Sequence, residues 1–172
     1  ASLEYDGVNL LTMVTPEHAA AIWQSDEVHN FILSDELETF STYVRYFSIS
    51  TLEHVVSEGG MNHFCLIHFL KRDPRMGLAA FGEGLAKAHG AMAGGSRRAV
   101  VNLVTDRMPG YNFDAVTELW FSGLDEARDF LAKDGYAGEY LAERGRLCDE
   151  YKTLTMWTRI NYARPAITEP EG

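Results

Sequence analysis

The chain has 172 residues, 46% of them hydrophobic and 23% charged, proportions that suit an ordinary globular protein of one domain or two small ones. Its formal net charge of -10 argues against nucleic acid and anionic membrane as partners, because Lys71-Arg72 and Arg97-Arg98 are too small to make a basic surface. No apolar run approaches the ~20 residues of a membrane span, and Cys65 and Cys148 lack CxxC spacing, so reduced thiols and a cytoplasmic location are expected.

Tyr5 to Met13 has strand character. Thr15-Pro16-Glu17 then supplies an N-cap, a first-turn proline and an early acid, which starts a helix running to about Ser25 with Ala19, Ile22 and Trp23 on its apolar stripe. A second helix follows from Val28 to about Phe40, then a strand from Phe47 to Val56. Glu58-Gly59-Gly60 is a break. Beyond it lie a strand from Asn62 to Leu70, a polar loop at Lys71–Arg75, and a helix from Met76 to about His89 with Phe81 and Leu85 at helical spacing. A strand from Arg98 to Val104 and a Pro-Gly loop lead into Phe113–Phe121, a strand carrying Asp114 and Glu118. Helices at Leu124–Ala132 and Tyr136–Glu150, a strand at Thr153–Tyr162 and a loose Pro-Glu tail over 165–172 complete the chain.

The order from residue 61 is that of a split βαβ, ferredoxin-like unit. The chain also repeats itself. A gapless shift of 108 positions pairs Asp6 with Asp114, Val8 with Val116, Leu11 with Leu119, Ala19 with Ala127 and Leu33 with Leu141. Residues 1–57 therefore read as the second half of the unit that 61–164 holds complete. Two strands and a helix layer cannot bury their faces alone. Another chain, or a segment ahead of Ala1 lost by cleavage or truncation, is expected to complete 1–57, and an assembly such as a homo-oligomer is expected in either case.

Four stretches in order, Met61–Arg72, Phe81…Leu85…His89-Gly90, Arg98–Asn102 and Phe113–Phe121, resemble the EthD family; Tyr5-Asp6-Gly7-Val8 repeats the opening of the last. That resemblance implies a dimeric or, for a tandem copy, pseudo-dimeric α+β barrel enclosing a ligand cavity. It implies cofactor-free dehydratase, cyclase or isomerase chemistry on a small, aromatic or polyketide-like molecule. The chain departs from the family pattern where Ala91 replaces a proline and Leu85 a tryptophan, and Gly82 and Gly84 weaken the helix by about 1 kcal/mol each relative to alanine, which predicts a mobile helix end.

His89 is a candidate general acid or base at a cavity mouth, or else a cap on its helix's last turn. Glu118 is a candidate second acid/base, because its counterpart in the first copy is Leu10, whereas Asp114 recurs as Asp6 and reads as scaffold. Asn102 and Tyr111 are candidates to hold a substrate oxygen, and Trp120 to stack on a ring. His63 and His68 occupy opposite faces of one strand, so a single one of them can face a cavity; His68 is taken as a substrate contact, with a hydrogen-bonded structural role as its alternative. No metal-ligand spacing, phosphate loop or nucleophile elbow is present, so no cofactor is expected. Two other classes remain open: a haem protein, since related barrels hold haem through histidine, and a non-catalytic ligand-binding accessory protein.

Overall fold

The computed structural model describes residues 8, 10–39, 49–59, 64–92, 98–107, 112–132 and 140–159. Among them the elements run α1 (Pro16–Trp23), a π-helical turn (Val28–Ile32), α2 (Leu33–Thr39), β1 (Ile49–Glu58), β2 (Phe64–Leu70), α3 (Leu78–Met92), β3 (Arg98–Arg107), β4 (Ala115–Phe121), α4 (Leu124–Ala132), α5 (Leu141–Leu147) and β5 (Leu154–Arg159). The five strands form one antiparallel sheet in the order β1-β3-β4-β2-β5. Without β1, that is the strand order of a ferredoxin-like split βαβ unit in an α+β fold. None of the described helices is long and apolar enough to cross a membrane.

β2 and β4 sit in the middle of the sheet, and β4 is buried at all seven positions. A strand covered on both faces reads as a nearly unbroken apolar run, which both strands do apart from a few polar residues. Alternation then divides the core in two. On the helix side, Leu66, Ala99, Leu119 and Phe121 meet Ala127 and Phe130 of α4, while Leu70, Val101 and Ala115 meet Phe81 and Leu85 of α3 and Leu147 of α5. On the opposite side, Cys65, Ile67, Phe69, Val116, Trp120 and Met156 form a second cluster with Phe113, and Val8 and Ile49 pack against it.

Three expectations are corrected. Residues 10–13 are irregular where a strand was predicted over Tyr5 to Met13, and residues 5–7 and 9 lie outside the described residues. α3 continues past His89 to Met92 and holds together through its glycines. A Cβ on Gly82 would stand 2.7 Å from Leu103 Cδ1, and one on Gly84 2.7 Å from Leu147 Cδ2, so both glycines let the helix approach β3 and α5 closely. The helix predicted over 136–150 is interrupted at Cys148-Asp149, with α5 over Leu141–Leu147 and a separate 3-10 turn over Glu150–Lys152, while residues 136–139 lie outside the described residues.

The starts of α1 and α4 at Pro16 and Leu124, the starts of α2 and α5 at Leu33 and Leu141, and their ends at Thr39 and Leu147 are all 108 positions apart.

Candidate functional site

Asp114 precedes β4 and belongs to the scaffold. It accepts a hydrogen bond from the Arg72 backbone N–H at 3.1 Å and an ion pair from Lys71 Nζ at 3.0 Å, with Arg72 Nε at 3.8 Å. These contacts tie the loop after β2 to the start of β4.

The sheet separates the remaining candidates. Register pairs Ile67 with Glu118 and His68 with Thr117, so Glu118 lies opposite the helices and His68 beneath them. Asn102 pairs with Val116 and Val100 with Glu118, which puts Asn102 on the Glu118 side. The expected pairing of His89 with Glu118 in one cavity is therefore not what the structure contains: His89 hangs from α3 on the helix side and Glu118 stands on the far side of β4. His68, taken as a substrate contact, is on the helix side as well. Tyr111 and His63 lie outside the described residues.

On the far side, Glu118 is gripped through both carboxylate oxygens. Asn102 Nδ2 donates to Oε1 at 2.6 Å and Trp120 Nε1 donates to Oε2 at 2.9 Å. The Trp120 interaction follows from strand geometry, because residues i and i+2 share a face. It also means that Trp120 turns its indole N–H toward an acid, a role that the stacking expectation did not include. Glu118 is buried, and burial pushes its carboxyl above the ordinary glutamate range against the two hydrogen bonds, which favour the charged form; Glu53 raises it further and Arg98 opposes. Arg98 Nη2 lies 3.5 Å from Glu53 Oε1 at the rim of this side. The Cys65 thiol, held up by burial and then by the Glu118 charge, is no nucleophile at neutral pH.

On the helix side, Tyr140 joins the two histidines. Its ring stacks on His68 at 5.6 Å between centroids and meets His89 edge-on at 5.3 Å. Tyr140 Oη lies 3.0 Å and Thr117 Oγ1 3.4 Å from His68 Nδ1. His89 Nδ1 lies 3.2 Å from the Leu85 carbonyl, which can only accept, so the neutral ring carries its proton on Nδ1. Burial depresses both imidazoles, His68 well below its ordinary value and His89 to about 4, with the Leu85 carbonyl partly offsetting the latter. His89 is fully buried in the last turn of α3, with its ring on the Leu85 carbonyl rather than at a cavity mouth. Tyr140 carried no functional expectation in the sequence, where it was one apolar position of a long predicted helix.

No family model and no curated protein matches the chain. Among solved structures it is similar to a dimeric protein of unknown function and ferredoxin-like fold from Bacteroides fragilis NCTC 9343, with 13% identity over 56% of this chain and 95% of that one and a TM-score of 0.41. The fold class stands on the chain's own strand order.

Proposed function

We propose that this protein is a cofactor-independent lyase or isomerase that moves a proton on a small, aromatic or polyketide-like molecule, with Glu118 as the acid/base. The observation that carries the reading is the grip on Glu118: a buried carboxyl with both oxygens fixed by neutral donors and its affinity for a proton raised by burial. The four ordered stretches that resemble the EthD family support the reaction class.

A carboxylate in this setting is a stronger base than one in water, since protonation relieves the cost of burying charge. Asn102 and Trp120 keep it from rotating, which fixes the orientation of its carboxyl plane. Glu118 takes a proton from a carbon acid as the C–H electron pair moves into the conjugated carbonyl. Returning the proton to another carbon completes an isomerisation, and loss of a leaving group completes an elimination. His89 has no place in this step, because the sheet lies between it and Glu118.

The test is proton exchange in D₂O, followed by NMR, across a panel of small enolisable aryl ketones. Glu118→Gln lowers the exchange rate about 10²-fold or more, whereas His89→Leu leaves it within a factor of about three. Exchange that survives Glu118→Gln overturns the assignment.

A further inference from the structure

The exposed large hydrophobic residues are unevenly distributed. Among the described residues seven of the ten, Leu10, Leu11, Val14, Trp23, Phe31, Ile32 and Leu37, fall between residues 10 and 37, and Leu52, Leu78 and Leu124 lie elsewhere. Scattered surface apolar residues need no explanation, but such a concentration does. For Leu11 and Ile32 the repeat supplies one. Leu11 is 64% exposed and its counterpart Leu119 is 1% exposed; Ile32 is 47% exposed and its counterpart Tyr140 is 2% exposed. Leu119 is covered by Leu66 of β2 and Ala99 of β3, and Tyr140 by His68 of β2 and His89 of α3. What the second copy has, and the first lacks among the described residues, is the cover made by β2, α3 and β3.

Charge identifies the kind of cover. Residues 64–107 carry Lys71, Arg72, Arg75, Lys87, Arg97, Arg98 and Arg107 against Asp73, Glu83 and Asp106. They pack on an acidic second half, and the ion pair from Lys71 to Asp114 crosses that seam. The first copy repeats the acidic half in stronger form: residues 10–39 contain no Lys or Arg, and Glu17, Asp26, Glu27, Asp35 and Glu38 are all exposed. A second copy presenting the same face would set acid against acid.

We infer that the apolar face of residues 10–37 is a docking surface for a basic β-α-β polypeptide unit patterned like residues 64–107 and lying outside these 172 residues. The apolar positions give the contact area and the basic unit's charge gives orientation and selectivity. This is independent of the role of Glu118, which sits in the complete copy.

A copy of residues 61–108 placed directly ahead of Ala1 preserves the 108-residue spacing and presents such a unit to the face. Amide hydrogen exchange over residues 10–37 slows at least tenfold in that protein relative to the unmodified chain, and the product sediments as a monomer. The same insert carrying Lys→Glu and Arg→Glu at its copies of Lys71, Arg72, Arg75 and Lys87 gives no such protection. The inference is overturned if exchange over 10–37 is unchanged by the basic insert, or if the charge-reversed insert protects equally. It is overturned also if the unmodified chain protects these residues through concentration-dependent self-association, which would make a second copy the occupant.

Discussion

Replacing His89 with leucine keeps the volume of the site while removing a buried titratable group, and the effect on stability depends on pH in a direction that the structure dictates. His89 is fully buried and its proton affinity falls from the ordinary 6.5 to about 4. A base whose folded value is depressed binds protons more readily in the unfolded chain. Its neutral burial is therefore accommodated without penalty above about pH 6.5, and stability falls as pH drops below that value until the folded protein itself takes the proton near pH 4. At about 1.4 kcal/mol per unit, the whole displacement is worth about 3 kcal/mol, of which about 2 kcal/mol is lost between pH 7 and pH 5. Urea unfolding at pH 7, 6 and 5 measures it. The wild-type chain loses about 2 kcal/mol more than His89→Leu over that interval, while the displacement at His68, caused first by burial, keeps its direction in both proteins and loses only the part that His89 contributes. Equal losses in the two proteins would mean that His89 is not buried neutral against Tyr140, and would refute the helix-side assignment.

Other outcomes follow from the same contacts. Asp114→Ala removes the acceptor for the Arg72 backbone N–H and one partner of Lys71, and costs about 1–3 kcal/mol in urea unfolding at pH 7; a loss under about 0.5 kcal/mol would remove Asp114 from the scaffold. Trp120→Phe deletes a donor that favours the charged form of Glu118, so the carboxyl titrates at still higher pH, read by carbon NMR of the side-chain carboxyl. A downward shift in that variant would contradict the hydrogen bond.

The elements from β2 to β5 were largely legible in the sequence because their signals agree across levels. Ser122-Gly123 ahead of Leu124, two first-turn acids and an apolar stripe delimit α4 as the structure has it. Period-2 alternation likewise put Glu118 with Trp120 on one face of their strand and His68 with Leu66 and Leu70 on one face of theirs. The relation between those sides was out of reach, since it depends on register: only the pairing of His68 with Thr117 and of Asn102 with Val116 shows which residues meet. Family analogy joined His89 to Glu118, and the sheet parts them. Tyr140 could not be found, because nothing local distinguishes it; it acquires its place by falling between two histidines from different elements. Residues 10–13 have strand composition and are irregular, because β-propensity alone, without backbone pairing, does not make a strand.

The central claim is that burial, opposed by Asn102 and Trp120, leaves Glu118 with a raised affinity for its proton. Carbon NMR titration of the Glu118 carboxyl in the folded chain tests it without knowledge of any substrate. The structure predicts a midpoint above the ordinary 4.5. A midpoint at or below that value would make Glu118 an ordinary solvated or ion-paired acid and would remove the basis for proton-transfer chemistry at this site.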